Sequence, residues 1–220
     1  MIATRFLALM VALAVAAPAL AQSSSRANRN EFYIAPVFTD GKDYSFNGGT
    51  TAKTDTGYGL MLGWARNLNP HVLLGFEIEW NEQDYRAQVQ PGPGNILNIS
   101  TISGTVESRT IRFRGDYNFS ANAFTPFVTG GLGWTWVDSN IPAGLPENVC
   151  WYYPWWGQYC GTYVPTHNTT KFSYNAGAGL RYDYGKGVFK AVVNSQWVDF
   201  GGDYGSSSVI QYRVDFGFKF

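Results

Sequence analysis

The stretch Val209-Ile-Gln-Tyr-Arg-Val-Asp-Phe-Gly-Phe-Lys-Phe220 decides the fold. Ile210, Tyr212, Val214, Phe216, Phe218 and Phe220 occupy every second position, and Gln211, Arg213, Asp215, Gly217 and Lys219 fill the positions between. A period of two sends the two sets to opposite faces of a β-strand. One face is bulky and apolar, and the other carries charge. A strand of a soluble sandwich would bury the apolar face and wet the charged one. Here the apolar face is so uniformly large, and the charges so central, that the reverse arrangement has to be considered.

The same two-faced pattern recurs along the chain. In 56–66, Tyr58, Leu60, Leu62 and Trp64 alternate with Gly57, Gly59, Met61, Gly63 and Ala65. In 71–80, Val72, Leu74, Phe76, Ile78 and Trp80 oppose Leu73, Gly75, Glu77 and Glu79. In 109–119, Ile111, Phe113, Tyr117 and Phe119 oppose Arg112, Arg114 and Asp116. In 171–184, Phe172, Tyr174, Ala176, Ala178, Leu180, Tyr182 and Tyr184 oppose a face that includes Arg181 and Asp183. Segments 31–40, 124–137 and 188–200 follow the rule less cleanly. The total is eight segments, each near the roughly 9–11 residues that cross a bilayer as a tilted strand.

The connections alternate in length. Asn67-Leu68-Asn69-Pro70, residues 120–123 and Gly185-Lys186-Gly187 are tight, whereas 41–55, 81–105, 138–170 and 201–208 are long. Short turns on one side and long loops on the other are the habit of outer-membrane barrels. The expected fold is therefore all-β: an eight-stranded antiparallel up-and-down transmembrane β-barrel with short periplasmic turns and long extracellular loops.

Composition agrees. Charged residues make up 15% of the 220, against about 25% in an average soluble domain, while aromatics reach 17% with 25 glycines. Such a chain is too apolar for disorder. Sixteen basic residues against sixteen acidic give no basic excess for nucleic acid. Two cysteines are too few for a disulfide framework and suggest no zinc site. Residues 1–21 read as an export signal, with Arg5, an apolar run from Phe6 to Ala17, Pro18 and an Ala19-Leu20-Ala21 cleavage pattern. Residues 22–30 read as a flexible lead-in and 31–220 as the barrel domain. No later stretch holds 18 apolar residues, so a helical membrane protein is excluded.

In such a barrel the apolar face meets lipid, and aromatics near strand ends form interfacial girdles. Trp64, Trp80, Tyr117, Phe119, Trp134, Trp136, Tyr182, Tyr184, Trp197, Phe218 and Phe220 suit that role. The other face becomes the interior, where Glu77, Glu79, Arg112, Arg114, Asp116, Arg181, Asp183, Arg213 and Asp215 must pair, because an unpaired buried ion is costly. Eight strands enclose only enough space for side chains. These residues are expected to form a structural plug, with a narrow gated pore as the alternative. With arginines opposite, Glu77 and Glu79 are read as ion-pair partners and not as a general acid–base pair, which needs one member protonated.

Phe127-Val128-Thr129-Gly130-Gly131-Leu132-Gly133, Trp197-Val198-Asp199-Phe200-Gly201 and the ending Arg213–Phe220 make the chain resemble the OmpA/OmpX-type outer-membrane β-barrel superfamily. The resemblance implies an outer-membrane location among phospholipid and lipopolysaccharide. It also implies a C-terminal signal, Tyr212, Val214, Phe216, Phe218 and Phe220, read by the barrel-assembly machinery. It leaves function open, since the superfamily holds structural anchors, adhesins, small pores and enzymes.

Residues 138–170 stand apart. Cys150 and Cys160 flank Trp151, Tyr152, Tyr153, Trp155, Trp156 and Tyr159. An even cysteine pair in an oxidising compartment suggests a disulfide. Such a loop either rests on itself and on the headgroups or recognises a sugar, a host surface or a partner. An enzyme is not expected. The two histidines are His71, read as an exposed turn residue, and His167 in the long loop, and no His-x-Ser pattern like that of lipid A deacylases occurs. No P-loop, cofactor motif or metal-ligand set is present. The expected protein is a monomeric structural or surface-interaction barrel, with a small porin-like pore as the runner-up.

Overall fold

A computed structural model describes residues 26–45, 51–89, 100–142, 147–155, 157–163, 166–199 and 206–220. The expected export signal lies outside the described residues. Twelve strands follow in chain order: β1 (Asn30–Thr39), β2 (Asp43–Ser45), β3 (Thr51–Thr54), β4 (Gly57–Asn67), β5 (Val72–Val89), β6 (Ser100–Asn118), β7 (Phe124–Pro142), β8 (Glu147–Tyr153), β9 (Gly157–Tyr163), β10 (Thr166–Tyr184), β11 (Gly187–Asp199) and β12 (Ser206–Lys219).

Eight of these close a barrel in the order β1, β4, β5, β6, β7, β10, β11, β12 and back to β1. Every neighbouring pair is antiparallel. Closure satisfies both edges of the sheet, the only way a sheet can sit in hydrocarbon. The short turns are chemically specified. Asn69 Oδ1 accepts hydrogen bonds from the backbone N–H of His71 and of Val72, each at 2.8 Å, and reverses the chain between β4 and β5. Gly185, with φ of 55°, supplies the left-handed residue of the β10–β11 turn.

The faces alternate as the period of two requires. Tyr58, Leu60, Trp64, Phe76, Phe113, Leu132, Trp134, Phe216 and Phe218 are exposed on the outside, while Met61, Ala65, Leu73, Tyr33 and Phe127 are buried inside. From Val72 to Trp80 the outward apolar residues of β5 span eight steps. At about 3.3 Å per step and a tilt near 40° they cover roughly 20 Å of bilayer.

The structure corrects the expected loops. The stretch read as a loop over 81–105 is mostly strand, since β5 runs on to Val89 and β6 begins at Ser100. β7 and β10 likewise extend to Pro142 and back to Thr166. A strand of 19 residues is about 60 Å long, or roughly 46 Å along the bilayer normal at the same tilt, more than twice the apolar belt, so the far halves stand clear of the hydrocarbon. The 41–55 connection carries β2 and β3, and β3 pairs with the upper part of β5. The polar sequence of these extensions hid them, because a strand that faces no lipid need not carry an apolar alternation. Within 138–170, β8 and β9 form a separate hairpin.

Gly63 is one of the positions where the barrel leaves no room for a side chain. A Cβ there would lie 2.2 Å from the Tyr33 ring, so the inward tyrosine depends on a bare backbone opposite it. Gly63→Ala is expected to destabilise the barrel by about 1–3 kcal/mol through overpacking, read as a lower urea midpoint in detergent. Gly130→Ala, whose Cβ would meet nothing closer than 3.6 Å, is expected to leave that midpoint unchanged. Equal losses from both would show that strand propensity, not the Tyr33 contact, sets the requirement.

Candidate functional site

The interior is built by the inward positions of all eight barrel strands. The buried charges are Arg26, Glu31, Glu77, Glu79, Arg112, Arg114, Asp116, Arg181, Asp183, Lys190, Arg213, Asp215 and Lys219, seven cations and six anions among the described residues. They form connected tiers.

The tier nearest the short turns centres on Arg181. Its guanidinium reaches Glu31, with Nη1 3.3 Å from Oε2, and donates to Asp183 at 2.9 Å. Asp183 also takes Arg26 Nη2 at 3.0 Å and Lys219 Nζ at 3.2 Å. Asn67 Nδ2 donates to Glu31 Oε1 at 2.7 Å. Lys190 Nζ lies 3.3 Å from Glu31 and 3.4 Å from Asp116, and so ties this tier to the next.

Glu77 is the hub of the middle tier. Three arginines from two strands converge on it: Arg114 Nη1 at 2.5 Å, Arg112 Nε at 3.1 Å and Arg213 Nη1 at 3.1 Å. Tyr33 donates its hydroxyl to the same carboxylate at 2.9 Å. Asp116 takes Arg114 Nε at 2.5 Å, and Asp215 takes Arg213 Nε at 3.2 Å. The Arg114 guanidinium also sits over the rings of Tyr33 and Phe127, 5.7 and 5.9 Å from their centroids.

Above this the charges give way to neutral polar groups. Arg112 pairs with Glu79, and Glu79 accepts Gln211 Nε2 at 2.7 Å. The chain continues through Asn194 to Asn175. A hydroxyl ladder of Thr110, Thr135 and Ser173, each step 2.9 Å, follows beside Gln196.

All nine interior charges singled out in the sequence are thus buried, and Glu77, Glu79, Arg112 and Arg114 meet across the β5–β6 pairing. Four further members were missed as site residues. Glu31, Lys190 and Lys219 lie in phase with inward neighbours, so strict use of the period would have found them. Arg26 follows no periodic pattern. It lies in the segment read as a flexible lead-in, yet it is fully buried and also donates to the carbonyl of Asn122.

Outside the barrel, Cys150 and Cys160 are joined by a disulfide at paired positions of β8 and β9. Tyr152 and Trp155 are 76% and 91% exposed at the end of this hairpin. The side chains of Trp151, Tyr153, Trp156 and Tyr159 lie outside the described residues. His71 packs against Tyr117 at the short-turn rim, its Nδ1 2.8 Å from the Asn118 carbonyl, and His167 is not described beyond its backbone. Tyr212, Val214, Phe216, Phe218 and Phe220 line the outer face of β12 and its end, with the three phenylalanines half exposed.

A closed, apolar-belted sheet of eight strands around an ionic interior defines a transmembrane barrel of the outer-membrane type. The chain belongs to the outer membrane protein beta-barrel domain family, whose model matches residues 7–220. No curated protein matches it in sequence. Among solved structures it is similar to the outer membrane protein OprG from Pseudomonas aeruginosa, at 13% identity and a TM-score of 0.53, covering 90% of this chain and 98% of that one. It is also similar to Neisserial surface protein A, at 13% identity and a TM-score of 0.50, covering 86% and 97%.

Removing the hub should be costly, since it leaves several buried cations under-compensated. Glu77→Gln is expected to lose about 3 kcal/mol or more of unfolding free energy, measured by urea titration in detergent. Glu107→Gln, which breaks an exposed contact to Arg109, is expected to change nothing measurable. A neutral outcome for Glu77→Gln would mean the converging arginines do not depend on it.

Proposed function

We propose that this chain is exported by its first 21 residues to the outer membrane. There it acts as a sealed structural and surface-interaction barrel whose recognition resides in the elements above the bilayer. The continuous chain of interior contacts from Arg26 to Asn175 carries this reading. It crosses the lumen tier by tier, and each charged member has at least one counter-ion within 3.4 Å. A solute passing through would have to break several buried pairs at once. The catalytic alternative gains nothing from Glu77 and Glu79, because both are engaged by Arg112. The C-terminal outward aromatics on β12 suit recognition by the assembly machinery, and the chain is proposed to function as a monomer.

The β8–β9 hairpin is the proposed recognition element. A cross-link closing a loop of about ten residues stabilises its ordered form by roughly 2–3 kcal/mol in the entropy model. It holds Tyr152 and Trp155 out in water, where rigid aromatic surface binds with little ordering cost. The candidate ligands are a sugar, a host surface or a partner protein.

A narrow pore is the second reading, and the charge balance would set its selectivity. The described interior holds one cation more than its anions. A conducting lumen would therefore prefer anions. Planar-bilayer recordings separate the two. The sealed barrel is expected to give no resolved conductance steps, and steady anion-selective steps would establish the pore instead. Replacing 150–160 with a Gly-Ser linker is expected to abolish surface binding by intact cells while the barrel's urea midpoint holds. Unchanged binding would remove the hairpin from the recognition role.

A further inference from the structure

Three rows of outward residues cross β5, β6 and β7 where the apolar belt ends on the long-loop side. Ile78, Ile111 and Trp134 are cross-strand partners in the lowest row. Trp80, Arg109 and Trp136 form the next, and Glu82, Glu107 and Asp138 the highest. Arg109 is the only cation in the three rows. Its side chain is 66% exposed, and its ion-pair contact with Glu107 is loose at 3.6 Å. The two tryptophans on either side are themselves about 40% exposed. Between them lies a groove of about 620 Å³, with Ile78 and Ile111 toward the hydrocarbon, Thr170 on the β10 side, Arg109 at the girdle and the carboxylates of Glu107 and Asp138 on its upper wall.

A cation with five donors is out of place in a lipid-facing girdle unless anions meet it there, and the single loose contact with Glu107 leaves most of those donors unused. Guanidinium matches phosphate by a planar, two-pronged contact. Tryptophan walls suit the boundary between headgroup and acyl chain. The carboxylate row above repels an anion that rises further, so it fixes the depth at which a phosphate can sit. The isoleucines below offer an acyl chain a path continuous with the belt. The groove's volume lies within the roughly 300–1,000 Å³ of small-molecule sites.

We propose that this groove is a binding site for a phosphorylated glycolipid of the outer leaflet, of the lipid A class. Arg109 pairs with a phosphate, Trp80 and Trp136 flank the sugar–acyl junction, and Ile78 and Ile111 contact an acyl chain. The assignment to the outer leaflet rests on the long connections facing outward. It does not depend on whether the lumen conducts or on what the hairpin recognises.

The test is native mass spectrometry of the full chain released from detergent, titrated separately with bisphosphoryl lipid A, dephosphorylated lipid A and phosphatidylglycerol. Bisphosphoryl lipid A is expected to be retained about tenfold more tightly than dephosphorylated lipid A, the difference one charge-assisted contact makes, and more tightly than phosphatidylglycerol, which has the phosphate but no sugar for the tryptophans to flank. Arg109→Gln should erase the preference for phosphorylated over dephosphorylated lipid A, Arg109→Lys should keep part of it, and Lys53→Gln, on β3 away from the groove, should leave it intact. Trp136→Leu should weaken retention of lipid A with and without phosphate. Arg109 is exposed, so its variants are expected to fold, which heat-dependent gel mobility checks. Equal retention of dephosphorylated lipid A or phosphatidylglycerol by the natural chain, or undiminished preference in Arg109→Gln, would overturn the assignment.

Discussion

A backbone in hydrocarbon has no water to satisfy its N–H and C=O groups, and the rest of this molecule follows from that. A sheet meets the demand only by closing, and β12 does so by pairing with β1 through residues such as Phe32 and Phe218. Once closed, the period of two sorts every barrel residue to lipid or lumen. The outward set must be apolar across the belt. The inward set is then free to be polar, but only if it compensates itself, because eight strands leave little room for solvent.

The lumen meets that condition through shared partners, with Glu77 taking three arginines and Asp183 taking Arg26, Arg181 and Lys219. Sharing is economical where the wall is narrow, but it concentrates the cost of any loss on a few carboxylates. Bulk is placed with equal care. Tyr33 fills the space that Gly63 leaves open, and its hydroxyl then completes the hub. Buried ion pairs of this kind seldom add net stability over apolar packing. Their value here is register, because a one-residue slip of β5 against β6 would turn Glu77 and Glu79 toward lipid and leave Arg112 and Arg114 unanswered.

Much of this was legible in the sequence where lipid imposes a pattern. The eight membrane-crossing segments, the tight turns at 67–70 and 185–187 and the inward charges of β5, β6, β10 and β12 are all consequences of one alternation. Legibility stops where that constraint stops. Above the bilayer no face of a strand meets lipid, so the extensions of β5 and β6 and the β2–β3 pair carry no apolar signature. Glu31 and Lys190 were in phase but sat in the segments with the weakest apolar faces. Arg26 is placed by a tertiary contact with Asp183, which no local pattern encodes. The groove around Arg109 needed the cross-strand register, since Trp80, Arg109 and Trp136 are far apart in sequence.

The orientation of neighbouring side chains in the bilayer can be read directly. Leu60 and Val193 face outward and are exposed, while their chain neighbours Met61 and Val192 are buried within. Methyl NMR in nanodiscs containing a lipid with a nitroxide on its acyl chain compares these pairs at nearly equal depth. Strong broadening of Leu60 and Val193 with Met61 and Val192 much less affected is the expected result. Equal broadening within each pair, or the reverse order, would contradict a wall that turns its apolar face to lipid and encloses its charges.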